Sequence, residues 1–223
     1  MIKLEKGDSL ELIKSLKDKS VDLILTDPPY GINKEGILND SSLDMYYRIL
    51  PDCYRVLKDN TFFVTFASIG RLPDFFKNNP FTYRWQYLIY INNGMGRGGI
   101  GFNRYISTLI FQKGNAEVKR PLLDIFECST SSKQKEYSLH PTEKRLDAVL
   151  KLVNSLSNVS DTVLDPFMGS GTIGEASIKL RRNFIGYELD DTYFKRARKR
   201  MSSVGVVLNE NGNNLLEDFE VEE

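Results

Sequence analysis

The stretch TVLDPFMGSGTIG, from Thr162 to Gly174, has the pattern of a buried strand that passes through a glycine turn into a helix. Its glycines Gly169, Gly171 and Gly174 follow the spacing G-x-G-x-x-G, and Glu188 comes nineteen residues after the first of them. Glycines so spaced let a backbone approach a ligand closely, and the later acidic residue can hold ribose hydroxyls. The stretch therefore predicts an α/β fold that binds a nucleoside-containing cofactor.

Asp165 stands just before this glycine turn. A carboxylate there would repel a pyrophosphate but attract an ammonium or sulfonium cation, and S-adenosylmethionine carries both cations. The stretch is not a Walker phosphate loop, because no Gly-Lys-Ser/Thr follows the turn. The residues favour S-adenosylmethionine as cofactor, and an NAD-dependent oxidoreductase is the alternative that the glycine spacing alone allows.

Outside this stretch, short β-branched and aromatic runs alternate with amphipathic segments of helical period, which is typical of α/β proteins. We predict a doubly wound, mostly parallel Rossmann-like sheet with helices on both faces. The predicted strands are 21–26, 61–66, 87–91, 105–111, 162–164 and 184–187. The predicted helices are 9–16, 43–57, 143–156, 172–180 and 191–201.

The chain has 223 residues, of which we assign 1–207 to a single domain. Two stretches inside it break the alternation: 92–103 is rich in glycine, and 113–139 is polar and rich in serine and lysine. We expect both to be loops on one side of the sheet, because long loops in a compact domain are often functional. The second is a candidate substrate-recognition insert.

The acidic residues are concentrated in the tail, 208–223, which has six acidic side chains and no basic one. The whole chain has 30 of each sign, so the remaining body has an excess of six positive charges. Such a body suits a nucleic-acid partner. The tail itself is predicted to be disordered, and a solvated terminus without a function is its simpler interpretation.

Several classes of protein are excluded by composition. Hydrophobic residues make up 41% and charged residues 27%, which is typical of a folded globular protein. No apolar run approaches the ~20 residues that span a bilayer, and the start MIKLEKGD lacks a secretion signal. We therefore expect a cytoplasmic protein without a membrane partner. Two cysteines and a single histidine, His140, argue against a disulfide framework and a zinc site, so no metal is expected.

A second motif, Asp27-Pro28-Pro29-Tyr30, follows the predicted strand 21–26, at the edge where open α/β sheets bind ligands. The prolines stiffen the backbone and lack N–H donors, which leaves their carbonyl oxygens to accept from a ligand. A carboxylate, a proline carbonyl and an aromatic ring suit a planar group that bears NH₂, such as a nucleobase. Acceptors that hold both hydrogens would expose the nitrogen lone pair as a nucleophile. The alternative is a stiff turn that ends the strand.

The two motifs, in this order, resemble those of the amino-group DNA methyltransferases that make N6-methyladenine or N4-methylcytosine, in the permuted β group. DPPY at 27–30 resembles the catalytic motif of the family, and DPFMGSGT at 165–172 its cofactor motif. Further matches are Gly7-Asp8-Ser9, Arg55-Val56-Leu57 and His140-Pro141-Thr142-Glu143-Lys144. The resemblance covers 7–201.

The resemblance implies that a methyl group is transferred from S-adenosylmethionine to the amino group of a base flipped out of double-stranded DNA. Asp27 and the carbonyl of Pro28 would bind the amino group, and Tyr30 would stack on the base. Asp8 would contact the cofactor adenine and Glu188 its ribose. The full cofactor set implied is Asp8, Ser9, Lys144, Asp165, Phe167, Gly169, Ser170, Gly171, Thr172 and Glu188. For Lys144 the alternative is a solvent-exposed residue in the first turn of a helix.

For DNA contacts, the sequence favours Arg97 and Arg104, in and beside the glycine-rich segment, where backbone and guanidinium groups could approach phosphates. The alternative is a flexible hairpin tip. His140 joins these DNA-contacting candidates by resemblance. Arg181, Arg182 and the run 195–200 are expected to lie on solvated helix faces.

The chain departs from the family in its short target-recognition region, 113–139. Three alternatives stay open: the protein recognises a very short site, it relies on a partner, or it forms a homodimer that completes the DNA cleft. The sequence does not identify a restriction partner. The resemblance favours adenine, because Asp27 occupies a position where cytosine-N4 enzymes tend to have serine. The alternatives are a cytosine-N4 enzyme, an RNA or protein amide N-methyltransferase, and a non-catalytic DNA-binding subunit. The family implies a prokaryotic host or a virus of one.

Overall fold

The computed structural model describes residues 1–32, 41–92, 96–97, 101–129 and 144–207, with only the backbone of 96–97. The strands in chain order are β1 (Ile2–Lys6), β2 (Val21–Thr26), β3 (Leu57–Ala67), β4 (Thr82–Ile91), β5 (Gly96–Arg97), β6 (Phe102–Asn103), β7 (Tyr105–Lys113), β8 (Ile125–Cys128), β9 (Thr162–Asp165) and β10 (Asn183–Glu188). The α-helices are α1 (Ser9–Leu12), α2 (Asp44–Val56), α3 (Leu146–Leu156), α4 (Thr172–Lys179) and α5 (Asp191–Ser203). Two 3₁₀ helices span Ile13–Ser15 and Ile69–Phe76.

Eight of these strands form one sheet in the order β1-β10-β9-β2-β3-β7-β4-β8. Neighbouring strands are parallel from β1 to β3, and β4 and β8 are also parallel to each other. Only β7 is antiparallel to its neighbours, β3 and β4. The prediction of a mostly parallel Rossmann-like sheet is confirmed. The strands β5 and β6 pair as a separate small hairpin.

Both faces of the sheet are covered, because alternate residues of a strand enter different cores. On β2, Leu23 and Leu25 belong to the core that α3, α4 and α5 cover. Ile24 belongs to the core on the other face, which α1, α2 and the 3₁₀ helix Ile69–Phe76 cover. The helices thus leave the two ends of the central strands as the places where a ligand can approach.

The structure corrects part of the prediction for 113–139. Residues 113–124 leave the end of β7, which is antiparallel, so they start at the opposite edge of the sheet from 92–103. The next residues, Ile125–Cys128, form the edge strand β8 rather than a loop. Residues 130–143 lie outside the described part of the chain, as does the tail 208–223. The boundaries of the single domain 1–207 therefore stay a prediction.

Other differences concern elements with weak local signals. Strand β1 was not predicted, since its apolar residues are few and alternate with charges at the edge of the sheet. The 3₁₀ helix Ile69–Phe76 was also missed. The expectation for Arg182 is wrong: it is 5% exposed, and its guanidinium donates to the hydroxyl and carbonyl oxygens of Ser157 at 3.0 and 2.7 Å. Among the described residues, no helix combines the length and hydrophobicity needed to cross a membrane.

Close packing of α4 against β10 and α5 depends on Gly174. A Cβ atom at this position would lie 2.5 Å from the Cε of Met201 and 2.7 Å from Cε1 of Phe184. Both neighbours are buried, so neither can move into solvent. The absence of a side chain at Gly174 therefore lets the helix that follows the glycine turn pack against the sheet.

We expect Gly174→Ala to lower the free energy of unfolding by about 1–2 kcal/mol, because overpacking a closed core outweighs the better helix propensity of alanine. Gly70→Ala is the matched control: a Cβ there meets nothing within 4 Å. Its effect should stay within about 0.5 kcal/mol. Urea unfolding of both variants at one pH measures the difference, and equal effects would contradict the packing argument.

Candidate active site

The DPPY segment and the glycine turn meet at one edge of the sheet. Strands β2 and β9 are parallel neighbours, with Ile24 paired to Leu164, so the segments that follow them leave the sheet side by side. The hydroxyl of Thr26 donates to Oδ1 of Asp165 at 2.8 Å. Two motifs that are far apart in the sequence are therefore joined at the carboxyl ends of adjacent strands, as predicted for ligand sites in α/β sheets.

Asp27 accepts hydrogen bonds on both carboxylate oxygens. Tyr30 Oη donates to Oδ1, and Lys144 Nζ donates to Oδ2. The Asp27 side chain is 23% exposed, whereas that of Lys144 is only 7% exposed. The alternative that made Lys144 a solvent-exposed residue in a helix turn is wrong, since it is buried and precedes α3, which begins at Leu146.

The turn after DPPY is held by a contact that the sequence did not predict. Gly31 has φ +68°, and a Cβ there would lie 2.7 Å from the backbone carbon of Ser42, so only glycine fits. Arg71 donates to the carbonyl oxygen of Gly31 at 3.0 Å and to the Asp74 carboxylate at 2.8 Å. Arg71 lies on the 3₁₀ helix that the sequence analysis missed, and no motif marks it. It fixes the end of the segment that carries Tyr30.

Asp165 is 1% exposed and accepts from the Thr26 hydroxyl and from the backbone N–H of Phe167 at 3.1 Å. Burial raises the pKa of this carboxyl from 3.8 to about 8, and the negative charges of Asp27 and Glu188 add to the rise. At a pH between these two pKa values, Asp165 is protonated in the folded chain and ionised in the unfolded chain. The contribution of Asp165 to folding stability therefore falls as the pH rises through this range.

The glycine turn itself leaves space beside the backbone. Gly169 has φ +52°, and a Cβ there would meet nothing within 4 Å. Gly171, at φ +86°, is different, because a Cβ would lie 2.7 Å from Met201 Cε and 3.2 Å from the Cα of Ala197. The first glycine thus opens the turn toward a ligand, while the second lets it pack on α5. Helix α4 begins at the next residue, Thr172.

Glu188 ends β10 and lies against this turn. Its Oε2 accepts from the N–H of Gly169 at 2.8 Å, and its Oε1 accepts from the N–H of Asp190 at 2.7 Å. Burial raises the pKa of its carboxyl above the ordinary value. Each carboxylate oxygen has a second lone pair, so Glu188 can still accept from a ligand hydroxyl.

Asp8 and Ser9 lie at the same edge, because β1 pairs in parallel with β10 and Lys6 stands opposite Glu188. The Asp8 side chain caps α1 by accepting from the N–H of Leu10 at 2.9 Å. Asp8 is exposed and Ser9 is buried. The remaining members of the predicted cofactor set lie on the glycine turn or at the start of α4: Phe167, Ser170 and Thr172.

Of the three DNA-contacting candidates, Arg104 has a side chain that the structure describes. Arg104 is exposed, stacks over the Tyr90 ring at 4.9 Å and donates to the carbonyl oxygen of Asn92. Arg97 is described only by its backbone in β5, and His140 lies outside the described residues. Strand β7 is antiparallel to both β3 and β4, so β4 runs in the same direction as β3 and β2. The connection from β4 to β7 therefore starts at the same edge of the sheet as the DPPY segment.

The charges at this edge fit a cationic nucleoside ligand. Asp27, Asp165 and Glu188 gather there, and the ammonium of Lys144 is bonded to the first of them. The free space beside Gly169 adjoins these carboxylates, because Gly169 N donates to Glu188. S-adenosylmethionine, with its ribose hydroxyls as donors and its positive centres, matches this set of acceptors and negative charges. In the described part of the chain, no group of histidine, cysteine or acidic side chains is arranged to hold a metal ion.

Comparisons with known proteins find DNA methyltransferases. A family model for N6/N4 methyltransferases, described as DNA methylase, matches residues 110–199. DNA adenine methyltransferase YhdJ of Escherichia coli strain K12 is 29% identical, over 87% of this chain and 81% of that protein. The cytosine-N4-specific PvuII DNA methyltransferase has the same fold, with a TM-score of 0.73 over 94% of this chain and 87% of that one, at 18% identity.

The chain in the crystal structure of the M1.HpyAVI–SAM complex is more similar in sequence. It is 32% identical, with a TM-score of 0.70, and the similarity covers 90% of this chain and 99% of that one. The similarity thus extends over almost the whole of both chains. The chain therefore belongs to the amino-group DNA methyltransferases, the S-adenosylmethionine-dependent family that methylates adenine N6 or cytosine N4 in DNA.

Proposed function

We propose that this DNA methyltransferase acts on the N6 amino group of adenine in double-stranded DNA. The observation that carries the proposal is the position of the Asp27 carboxylate. Tyr30 donates to it, and it follows β2, the strand next to β9, which leads into the glycine turn. This arrangement puts an acceptor for an amino group next to the site that fits the methyl donor. Proximity of the two reactants supplies much of the rate in such a transfer.

In this proposal, Asp27 and the carbonyl of Pro28 accept the two hydrogens of the amino group, and Pro29 keeps the segment rigid. Tyr30 stacks on the base, and its hydroxyl, which donates to Asp27, holds the ring beside the carboxylate. A base must leave the duplex to reach this site, which costs a few kcal/mol of stacking and pairing. Contacts between the protein and the DNA backbone would offset that cost.

The cofactor in this proposal lies along the glycine turn. Glu188 accepts from the ribose hydroxyls, Asp8 contacts the adenine, and Asp165 faces the positive charge. Ser9, Phe167, Gly169, Ser170, Gly171 and Thr172 complete the surrounding wall. The bound cofactor supplies a methyl group already activated on a sulfonium, so the residues of the chain need only orient the amine and exclude water.

Adenine is favoured over cytosine by aspartate at position 27 and by the similarity to YhdJ, a DNA adenine methyltransferase. Cytosine carries the same kind of amino group, and the acceptors at Asp27 would bind either base. The similarity to the cytosine-N4-specific PvuII enzyme concerns the fold. The choice of base therefore needs a chemical test.

The decisive test is to incubate the protein with labelled S-adenosylmethionine and unmethylated genomic DNA, digest the DNA to nucleosides, and find the labelled nucleoside by mass spectrometry. We expect label in N6-methyladenine from the wild type and none from Asp27→Ala, because the variant lacks the carboxylate that binds the amine. Label in N4-methylcytosine would show that the substrate base is cytosine instead of adenine, and it would leave the assignment of the site unchanged. No transfer to DNA, with transfer to RNA or protein instead, would refute the proposal.

Cofactor affinity should rise with pH from 6 to 8, because a cation binds the ionised form of Asp165, whose pKa is raised to about 8. Below this pH, binding would release a proton. Calorimetry in buffers of different ionisation enthalpy measures both the affinity and the number of protons. Asp165→Asn should bind the cofactor more weakly and with a flatter pH dependence. An equally steep profile in this variant would assign the titration to another group.

Arg97→Ala and Arg104→Ala, made together, should weaken DNA binding and flatten its dependence on salt, since each phosphate contact releases counterions. Fluorescence anisotropy with a duplex at several salt concentrations measures the slope. Lys77→Ala is a suitable control, because its ammonium is exposed and bonded to Asp74 on the 3₁₀ helix. If the arginine variant and the control have the same slope as the wild type, the glycine-rich segment does not contact phosphates.

A further inference from the structure

Lys144 is placed where the target amino group would be expected. Its Nζ donates to Oδ2 of Asp27, the carboxylate assigned above to the amine. The same nitrogen lies 5.6 Å from the centre of the Tyr30 ring and 4.9 Å from that of Phe66. The side chain is 7% exposed, so this is a buried position rather than a surface ion pair.

An ammonium in this position offers the same kind of hydrogen-bond donor as the amino group of a base. Its N–H groups point to the Asp27 carboxylate and lie near aromatic rings, as those of a base bound in the proposed way would. Asp27 already accepts from Tyr30 on Oδ1, so Oδ2 is the oxygen with which a new donor would be expected to pair. Lys144 is bonded to that same oxygen and lies over the Tyr30 ring, so a base that stacks on this face of the ring meets its ammonium.

We propose that Lys144 occupies the amine site of the DNA-free enzyme and acts as an internal competitor that a flipped base must displace. The inference rests on the proposed function, because it needs Asp27 to bind the base. Its physical origin is the charge of the partly buried Asp27 carboxylate, which lies close enough to Asp165 to help raise the pKa of that carboxyl. The lysine compensates this charge until a base arrives.

The proposal makes Lys144 a positioning and selectivity residue. Displacing a paired ammonium lowers the apparent affinity for every base, so only a base delivered with strong contacts to DNA can take the site. The resemblance to the family implied a different role for Lys144, as a member of the set that binds the cofactor. The two roles predict opposite effects when the ammonium is removed.

The test compares wild type with Lys144→Met, which keeps the length of the side chain but has no donor. The wild-type product first identifies the methylated sequence, and a duplex with that sequence is then titrated in the presence of S-adenosylhomocysteine. We expect Lys144→Met to bind this duplex about tenfold more tightly, since the competitor is gone. Binding of S-adenosylmethionine, measured by calorimetry, should be unchanged or tighter, because a positive charge has been removed.

Lys144→Gln keeps a neutral N–H donor, so its affinity for the duplex should lie between those of the wild type and Lys144→Met. Lys113→Met is the matched control, because Lys113 is also buried, its Nζ lies 4.5 Å from the Tyr54 ring, and it is at the opposite edge of the sheet. This control should lose stability in thermal unfolding and leave duplex affinity unchanged. Thermal unfolding of all variants shows which of them are folded.

Three results would overturn the inference. Cofactor binding weakened tenfold in Lys144→Met, with unchanged duplex affinity, would assign the lysine to the cofactor. Unchanged affinities for the duplex and for S-adenosylmethionine in folded Lys144→Met and Lys144→Gln would mean that Lys144 and Asp27 form an ion pair with a structural role only. A wild type that methylates no DNA would refute the proposed function and, with it, this inference, whereas the first two results leave that function intact.

Discussion

The hydrogen bond between Thr26 and Asp165 marks the constraint on which the site depends, namely that β2 and β9 are adjacent and parallel. This adjacency buries Asp165 and brings the segment that starts at Asp27 beside the glycine turn. The covering helices, the glycine contacts on α5 and the Arg71 bond to Gly31 all preserve the same meeting point. In the proposed function, the geometry that positions an amine beside a methyl donor follows from the order of strands.

The adjacency has an electrostatic consequence. Three carboxylates gather at one edge of the sheet, and burial raises the pKa of the two that lie deepest, Asp165 and Glu188. Such a cluster is unfavourable unless protons, a lysine or a cationic ligand compensate it. A sulfonium cofactor and the Lys144 ammonium are two ways to do so. Binding of the cofactor, protonation of Asp165 and the position of Lys144 are therefore linked through one charge balance.

Local signals predicted the strands β2 and β9, the turn that follows each and the family to which the chain belongs, because these features depend on neighbouring residues in the sequence. The contacts of Lys144 with Asp27, of Arg71 with Gly31 and of Arg182 with Ser157 were not predicted. Each joins residues that are distant in the sequence, and a basic side chain near a helix normally indicates solvent exposure. Edge strands β1 and β8 were missed for a related reason, since pairing on one side requires little hydrophobic pattern.

The acceptors at Asp27 are generic, because a lysine ammonium, an adenine and a cytosine can all donate to the same carboxylate. Recognition of a DNA sequence must therefore come from other parts of the chain. Two connections start and end at this edge: the one from β4 to β7, and the one from the end of β8 to Lys144. The second connection ends at the residue that holds Asp27. If Lys144 is the competitor proposed above, contacts that recognise the DNA must supply the free energy that separates it from Asp27, because the acceptors themselves do not distinguish these donors.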